Sequence, residues 1–227
     1  MKIVILSGAG ISAESGLGTF RDSGGLWEKF NIEDVATPQA WNKNPKLVLA
    51  FYNERRRQNN LAIPNDGHLA LKELEAHFQV DIITQNIDDL HERAGSSNVL
   101  HLHGEIKKAK TFELSEKYYE IDGDIEIGDL GQDGLQLRPH VVWFGESVPQ
   151  LLNAAKVVEE ADVFIVVGTS LNVYPAANLI HYTKSNCLRY LVDPNTIDMN
   201  FSKAEHVKMN ATIGIPKLVG ELIKKFT

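Results

Sequence analysis

Two short polar segments hold the residues best suited to acid–base chemistry. The segment TQNID contains Asn86 and Asp88, and the segment HLHGE contains His101 and His103. A neutral imidazole with a pKa near its reference value accepts a proton from a hydroxyl group at neutral pH, so His103 is a candidate general base. Short polar side chains held at a strand end suit the orientation of a ligand, which makes Asn86 and Asp88 further catalytic candidates.

Both segments also have simpler interpretations. His101 and His103 lie two residues apart, so on a strand they would face one way and could bind a metal as a pair. No third ligand is evident and a glycine follows at once, so we expect no metal site and favour the general base. Asp88 precedes DLHERAG, a segment with a helical pattern, so capping that helix is an alternative role for its carboxylate.

A glycine-rich turn follows the first predicted strand. Ile3–Leu6 is a short, unbroken apolar run of the kind that is buried on both faces of a parallel sheet. Gly8, Ala9 and Gly10 come next, and with Ala13 they give the spacing Gly-x-Gly-x-x-Ala, a permitted form of the dinucleotide fingerprint. We expect backbone N–H groups here to face the phosphates of a nucleotide. The spacing alone is equally compatible with a tight turn that binds nothing.

Strand and helix patterns alternate along the chain. Strands are predicted at Ile3–Leu6, Val80–Thr84, Val99–Leu102, Val141–Phe144, Val163–Val167 and Leu188–Val192. Helical patterns cover roughly 45–61, 66–77, 149–160, 174–184 and 216–226. This alternation predicts an α/β fold with a Rossmann-type parallel sheet and helices on both faces. Ligands of such sheets lie beyond the carboxyl ends of the strands, where SGAG, TQNID, HLHGE, FGE, GTS and DPN all fall.

Two segments interrupt the alternation and divide the chain. Residues 16–44 are interrupted by glycine and proline and contain aromatic residues, which is typical of an ordered flap over a ligand. Residues 105–138 have the pattern of a small hairpin lobe inserted between two strands. We therefore assign residues 1–15, 80–104 and 139–227 to the sheet domain, 16–79 to a flap and helical insertion, and 105–138 to the small lobe.

The composition of the 227 residues excludes several classes of partner. A net charge of −7 argues against nucleic acid as a general partner, because phosphate binding needs a basic surface. The apolar runs are too short to span a membrane. Cys187 is the one cysteine, so the chain has neither an internal disulfide nor a cysteine-based zinc site. Met1 leads directly into the first strand without a signal sequence, so we expect a cytoplasmic protein.

Six motifs taken together resemble one protein family. GAGISAESGLGTFR, TQNID, LHGE, VVWFGE, GTSLNVYPAA and VDPN occur in the order and at the spacing found in sirtuins, the NAD-dependent protein lysine deacylases. The resemblance covers nearly the whole chain, and it implies a Rossmann-type domain, a smaller domain and a cleft that holds NAD and an acylated lysine. It also implies the reaction, in which the acyl group moves from lysine to the ADP-ribose of NAD and nicotinamide is released.

The resemblance also implies roles for single residues. His103 would act as the general base on a ribose hydroxyl, and Asn86 and Asp88 would orient the nicotinamide amide and the ribose. Arg21 would clamp the pyrophosphate, and Asn195 would reach the adenosine. The full set expected to bind NAD is Gly8, Ala9, Gly10, Ala13, Thr19, Phe20, Arg21, Gln85, Asn86, Asp88, His103, Gly168, Thr169, Ser170, Asn195 and Ala211.

The resemblance further implies an acyl-lysine protein or peptide as the substrate, clamped between two loops. Val142 and Phe144 would line the channel for the lysine side chain. Tyr52 and Arg55 are three residues apart in a helical segment and therefore share a face. Class III sirtuins carry this Tyr-x-x-Arg pair, which binds the carboxylate of succinyl-, malonyl- or glutaryl-lysine, so we expect succinyl- or malonyl-lysine to be preferred over acetyl-lysine. The alternative is that the three arginines of ERRRQ form a solvated basic face.

One feature departs from the family. Typical sirtuins bind a structural zinc through four cysteines in the small lobe, which this chain lacks, and Thr111 lies about where the first is expected. The folding free energy that the metal contributes must then come from elsewhere. We expect an apolar substitute formed by Phe112, Leu114, Tyr118, Tyr119, Ile121, Ile125 and Ile127. Because that metal takes no part in the family's chemistry, its loss affects the stability of the lobe and not the reaction.

Two other functions remain open from the sequence. The same site could transfer ADP-ribose to protein or hydrolyse NAD, and it could also bind NAD without catalysis. His103, Asn86 and Asp88 argue against a non-catalytic module, because a protein that only binds NAD has no need of a base beside the ribose. The substrate proteins and the oligomeric state are not determined by the sequence.

Overall fold

A six-stranded parallel sheet is the centre of the protein. The computed structural model describes residues 1–18, 30–112, 117–195 and 203–227. Its strands are β1 (Lys2–Ser7), β2 (Gln79–Thr84), β3 (Val99–His101), β4 (Gly104–Lys110), β5 (Tyr119–Glu120), β6 (Arg138–Val141), β7 (Val163–Val167), β8 (Leu188–Val192) and β9 (Glu205–Val207). The central sheet has the order β3-β2-β1-β7-β8-β9 and is parallel throughout, whereas a smaller sheet has the order β5-β4-β6 and is antiparallel. The predicted α/β fold with a Rossmann-type sheet is confirmed.

Helices cover both faces of the central sheet. They are α1 (Ile32–Val35), α2 (Pro38–Lys43), α3 (Pro45–Leu61), α4 (Asp66–Leu74), α5 (Leu90–Arg93), α6 (Leu151–Glu159) and α7 (Ala211–Phe226), with 3₁₀ segments at Ala9–Ile11, Ala13–Ser15 and Ala176–Tyr182. Ile3 and Ile5 of β1 pack with α4 and α7, whereas Val4 and Leu6 pack with α6 and the 3₁₀ segment Ala176–Tyr182. Successive side chains of a strand face opposite sides, so two separate cores explain why β1 is apolar at successive positions. No helix within the described ranges is long and apolar enough to cross a membrane.

The prediction of a central strand at Val141–Phe144 is wrong. The strand found there is β6, which ends at Val141 and pairs antiparallel with β4 in the smaller sheet. The sixth central strand is instead β9, which pairs with β8 at the edge of the sheet. β9 is short and contains Glu205 and His206, so it lacks the apolar run by which a buried strand is recognised.

Helix α3, which carries the Tyr-x-x-Arg pair, has the bounds that its sequence pattern predicts. Asn44 caps the first turn by accepting a hydrogen bond from the Leu47 N–H at 3.1 Å. Pro45 occupies the first helical position, where an N–H would have no partner within the helix. The predicted helix at 216–226 is longer than expected, because α7 begins at Ala211.

A polar network fastens α3 to the small lobe. Asn53 donates to the Ile125 carbonyl and accepts from the Ile125 N–H, both at 3.0 Å, as a neighbouring strand would. Arg56 donates from Nε to the Ile106 carbonyl at 2.8 Å and from Nη1 to Asn53 at 2.9 Å. Because Arg56 is only 1% exposed, the alternative of a solvated basic face is wrong for this arginine. Arg57 does lie at the surface, where it pairs with acidic side chains.

The expected apolar substitute for zinc is only partly present in the lobe. The members that pack into the core against α3 are Tyr119, Ile121 and Ile125. The members that are about half-exposed are Phe112, Tyr118 and Ile127. Leu114 lies outside the described residues. Polar bonds from Asn53 and Arg56 hold the lobe to α3 in addition to these apolar contacts.

The site of the missing cysteines does not fit a metal. Thr111 is buried at the end of β4, and its hydroxyl donates to the Asp133 carboxylate at 2.6 Å. In the parts of the chain that the structure describes, no group of three or more His, Cys, Asp or Glu side chains could hold a metal ion. A direct hydrogen bond between Thr111 and Asp133 therefore joins segments of the lobe where the resemblance implies zinc.

Candidate active site

The turn after β1 packs directly against the turn after β7. Gly8 donates its N–H to the Val167 carbonyl at 3.0 Å, and Gly10 donates to the Gly168 carbonyl at 2.8 Å. A Cβ atom on Gly10 would lie 2.6 Å from the Cα of Gly168, and one on Gly8 would lie 2.6 Å from the Cβ of Thr169. The glycines therefore permit a close approach of two loops. The N–H groups of Gly8 and Gly10 are already bonded to main-chain carbonyls, so a phosphate contact through this turn stays a prediction.

Asn86 and Asp88 are joined through Ser12. The Asn86 amide donates to the Gly8 carbonyl and to the Ser12 hydroxyl, each at 3.2 Å, and that hydroxyl donates to Asp88 at 3.0 Å. Asp88 also accepts from the Leu90 N–H at 3.2 Å, so its carboxylate binds the start of α5 as well. Burial raises the pKa of Asp88, and the bonds from Leu90 and Ser12 oppose that shift. Sequence reasoning missed Ser12, whose one signal is a hydroxyl within the glycine-rich turn.

His103 has a defined tautomer. Its Nδ1 lies 2.9 Å from the Gln85 carbonyl oxygen, which can only accept, so Nδ1 carries a proton and Nε2 keeps its lone pair. Burial lowers the pKa of His103, and the bond to Gln85 opposes part of that shift. The imidazole is therefore neutral at pH 7, which is the state that a general base needs.

His101 uses both ring nitrogens for partners of its own. Its Nδ1 lies 3.0 Å from the Asn86 carbonyl oxygen, and its Nε2 lies 2.8 Å from a carboxylate oxygen of Glu92. β3 ends at His101, so His103 does not continue the same strand face. The structure does not support a metal held by the two histidines, because His101 Nε2 is bonded to Glu92 and the described residues contain no group of three or more side chains that could hold an ion.

Thr169 joins the loops at the ends of β2 and β7. Its hydroxyl oxygen accepts from the Gln85 amide at 3.1 Å and from the Leu171 N–H at 3.2 Å. Leu171 has a φ of 55°, in the left-handed region that favours glycine, and its side chain is buried. The bond from Thr169 thus supports a strained backbone at the start of the segment LNVYPAA, next to the half-buried Ser170.

The residues expected at the adenosine lie near the ends of β8 and α7. Asn195 is exposed just beyond β8, and Ala211 is the buried first residue of α7. Glu14 accepts a hydrogen bond from the Thr212 hydroxyl at 2.7 Å, which ties the start of α7 to the 3₁₀ turn that contains Ala13. The flap residues predicted to bind NAD lie outside the described residues: Thr19, Phe20 and Arg21.

Tyr52 and Arg55 lie on one side of α3 and influence each other's ionisation. Burial raises the pKa of Tyr52 to about 12, and the Arg55 guanidinium opposes that shift. Burial lowers the pKa of Arg55, and the charges of Tyr52 and Asp88 oppose it. The guanidinium carbon also lies 5.9 Å from the centre of the Phe51 ring. The structure therefore brings the pair together, within electrostatic reach of Asp88.

Arg138 and Glu146 fasten the segment VVWFGE. Arg138 donates to both carboxylate oxygens of Glu146, at 2.7 and 3.2 Å, and its guanidinium carbon lies 3.3 Å from the centre of the Trp143 ring. The main-chain N–H of Trp143 donates to the same carboxylate at 2.8 Å. A two-bond pair with a guanidinium fixes orientation as well as distance. Sequence reasoning missed Arg138. The available signals were an arginine next to a strand pattern and a glutamate at the end of the segment VVWFGE.

The two predicted channel residues differ in exposure. Val142 is half-buried, and its N–H donates to the His103 carbonyl at 2.9 Å, so this loop lies beside the candidate base. Phe144 is 45% exposed, and its N–H donates to the Ala36 carbonyl at 3.0 Å. The segment therefore connects the base to the helices α1 and α2.

The polar groups at this edge of the sheet suit the ligand that the resemblance implies. Asn86 offers an amide, Asp88 a carboxylate and His103 a nitrogen lone pair, all beyond the carboxyl ends of β2 and β3. Those groups pair naturally with a carboxamide and with sugar hydroxyls. These groups therefore fit the nicotinamide riboside half of NAD. Among the described residues no hydrogen bond to His103 Nε2 is present, so a sugar hydroxyl would displace none of them there.

Comparison with protein families and known sequences gives one consistent result. Residues 8–175 match the family described as the Sir2 family. A protein of Bacteroides thetaiotaomicron named NAD-dependent protein deacylase is 49% identical over 233 residues, covering 98% of this chain and 98% of that protein. A protein of Helicobacter pylori with the same name is 50% identical over 224 residues, covering 98% of this chain and 96% of that protein.

Solved structures with the same fold agree with this result. A Sir2 homolog in complex with NAD has a TM-score of 0.89 and 38% identity, covering 100% of this chain and 91% of that chain. A Sir2 mutant with a deacetylated p53 peptide and 3′-O-acetyl ADP ribose has a TM-score of 0.80 and 30% identity, covering 99% of this chain and 93% of that chain.

Proposed function

The chain belongs to the Sir2 family, and from that premise we propose that it is an NAD-dependent protein lysine deacylase that prefers succinyl- or malonyl-lysine over acetyl-lysine. The observation that carries the activity is the neutral His103, with Nδ1 bonded to the Gln85 carbonyl and Nε2 left as a base. It lies at the sheet edge that also holds Asn86 and Asp88.

In this proposal each polar residue has one task. Bound NAD supplies the electrophilic sugar carbon and nicotinamide as the leaving group. The Asn86 amide and the Asp88 carboxylate, linked through Ser12, orient the carboxamide and the sugar hydroxyls. His103 accepts a proton at Nε2 from a ribose hydroxyl, which makes that oxygen nucleophilic toward the acyl carbon. The Gln85 carbonyl keeps the ring in the tautomer that this step requires.

The acyl preference rests on Tyr52 and Arg55. A phenol hydroxyl and a guanidinium on one helix face offer three or more N–H and O–H donors to a carboxylate. Burial lowers the pKa of the half-buried Arg55, and a guanidinium partly withdrawn from water gains from an anionic partner. Acetyl-lysine carries no such anion, so it gains nothing from the charge of the guanidinium.

The peptide that carries the acyl-lysine would lie between VVWFGE and LNVYPAA. Added as an extended strand, it would be recognised by main-chain hydrogen bonds, which makes recognition tolerant of sequence. Val142 and Phe144 would line the channel for the lysine stem. The fixed loop between Arg138 and Glu146 gives one rigid side to this clamp.

The test is one peptide prepared with acetyl-, succinyl-, malonyl- and unmodified lysine. Each form is incubated with the protein and NAD, and the products are read by mass spectrometry. We expect acyl-ADP-ribose and free lysine, formed faster from the succinyl and malonyl peptides. Equal rates with acetyl peptide would contradict the acyl preference alone. ADP-ribose attached to protein, or NAD left intact with every peptide, would contradict deacylation.

A further inference from the structure

We propose that His101 is a positioning residue whose bond to Glu92 enables it to hold the Asn86 main chain, and through it the catalytic side chains, in place. The proposal rests on the proposed deacylase function for its kinetic test, but its structural test does not depend on activity. Neither His101 nor Glu92 takes part in the proposed reaction itself.

The main chain of Asn86 is held at both of its polar groups. Its N–H donates to the Thr84 hydroxyl at 3.0 Å, and its carbonyl accepts from His101 Nδ1 at 3.0 Å. The preceding carbonyl, of Gln85, accepts from His103 Nδ1 at 2.9 Å. Two successive carbonyls therefore bind the two histidines of HLHGE. A shift of the Asn86 main chain would therefore move both the Asn86 side-chain amide and the Gln85 carbonyl that holds the His103 ring.

The partners of His101 require a proton on each ring nitrogen. A main-chain carbonyl and a carboxylate are both acceptors, so both bonds exist together only when the ring is an imidazolium. Its side chain is 9% exposed, whereas that of Glu92 is 40% exposed at the surface of α5. A neutral ring would lose a donor on one side or the other. The bonds to Asn86 and Glu92 are therefore both present only while His101 Nε2 carries a proton that is bonded to the Glu92 carboxylate.

The charged surroundings favour this doubly protonated state. Burial lowers the pKa of His101, but the hydrogen bond and charge of Glu92, with the charge of Glu105, outweigh it and raise that pKa above its usual value. The titratable and charged groups near His101 and Glu92 are His68 of α4, His91 of α5, Glu105 and Lys108 of β4, and Asp88. The bonds are thus present below the pKa of His101 and one is lost as the pH rises through it.

Two substitutions of His101 separate the two bonds. The amide nitrogen of Asn lies near the place of Nδ1, and that of Gln lies near the place of Nε2. H101N therefore keeps a donor for the Asn86 carbonyl without a titrating group, and H101Q keeps a donor for Glu92 instead. E92Q leaves His101 in place and removes the anion. H77N and H77Q are matched controls, because His77 is an exposed histidine outside the site.

The kinetic test measures kcat and KM for an acyl peptide with NAD between pH 6 and 10. We expect kcat to fall about tenfold in H101Q, roughly the loss of one well-placed hydrogen bond, and less than threefold in H101N. The wild-type protein should lose activity at alkaline pH, as His101 loses its second proton. In E92Q the same loss should begin at a lower pH. In H101N, which has no titrating group at this position, the loss should be absent. Equal kcat in H101N and H101Q, or an E92Q profile identical to that of wild type, would overturn the proposal.

The structural test reads the protons directly. Long-range ¹H–¹⁵N spectra of ¹⁵N-histidine-labelled protein, with the His101 signals assigned by their loss in H101N, distinguish a doubly protonated ring from either neutral tautomer. We expect two protonated nitrogens at pH 7.5 in the wild type and a lower transition in E92Q. A neutral His101 at pH 7.5 would overturn the proposal even if no acyl peptide reacts, and an inactive protein with a charged His101 would count against the proposed function alone.

Discussion

Replacement of Arg55 by methionine is the sharpest test of acyl preference. Methionine keeps most of the apolar stem of Arg55 but removes the guanidinium, whose carbon lies 5.9 Å from the centre of the Phe51 ring, so the change falls on the charge. In the proposed complex, the acyl carboxylate would be left with Tyr52 as its remaining partner among the two. The pocket would still fit acetyl-lysine, which has no carboxylate to leave unpaired.

The size of the effect follows from the charges that remain. A hydrogen bond to a charged group contributes about 1.5–3 kcal/mol, and a buried charge that loses its partner costs about 3–5 kcal/mol. Arg55 is half-buried, so the lower part of that range applies. A loss of about 3 kcal/mol corresponds to a fall of about 100-fold in kcat/KM for the succinyl peptide. For the acetyl peptide we expect a change within about threefold, which is a difference of under 1 kcal/mol.

The assay compares kcat/KM for succinyl and acetyl forms of one peptide, with acyl-ADP-ribose quantified by mass spectrometry. Arg57→Met is the matched control, because Arg57 lies on the same helix but pairs at the surface with Glu54 and Asp124. That variant should leave both rates close to those of wild type. Equal losses for the two substrates in Arg55→Met would refute a carboxylate pocket at this position.

Four further predictions concern catalysis and stability. His103→Ala should abolish deacylation while calorimetry still detects NAD binding, and retained turnover would exclude it as the base. Arg56→Leu should lower the free energy of unfolding in urea by about 3 kcal/mol, because it leaves Ile106 and Asn53 without their buried donor; a loss below about 1 kcal/mol would show that the network is dispensable. Excess chelator should change neither the melting temperature nor the activity, since Thr111 bonds to a side chain where zinc is expected; a fall in either would reveal a structural metal. Burial lowers the pKa of His68 to about 4, so the folded protein keeps this ring neutral to a lower pH than the unfolded chain does. We expect the free energy of unfolding to fall by about 3 kcal/mol between pH 6.5 and pH 4. A free energy of unfolding in urea that stays constant over this range would contradict the prediction.

The central sheet could be predicted because its strands obey a simple physical rule. A strand with helices on both faces must be apolar at successive positions, and β1 and β7 have that pattern, whereas β2 has it at Ile82 and Ile83. β9 breaks the rule because it is a short edge strand, largely outside the apolar core. The sequence pattern predicts β6 in the central sheet and not in the smaller sheet, because an apolar run does not reveal which strand it pairs with. Pairing is a long-range property that local pattern cannot specify.

The candidate site shows a similar division. Polar side chains at strand ends, such as Asn86 and His103, could be predicted because parallel strands bring those ends together. Ser12 and Arg138 could not, because their roles arise from contacts with residues distant in sequence. The spacing of the glycines in the first turn predicts where the turn lies but not the contact between loops that these glycines permit. Their spacing suggested phosphate donors, whereas their lack of side chains serves the contact between two loops.

The arrangement of α3 has a consequence for how this enzyme can change. Its Tyr52 and Arg55 lie on one stripe of the helix, and Asn53 and Arg56 lie on the adjacent stripe that anchors the lobe. Under the proposed function, exchange of the first pair would change the acyl group that is accepted while the second pair keeps the scaffold intact. A library randomised at positions 52 and 55 alone would therefore be a short route to catalysts for other acyl groups, and natural substitutions at the same two positions would act in the same way.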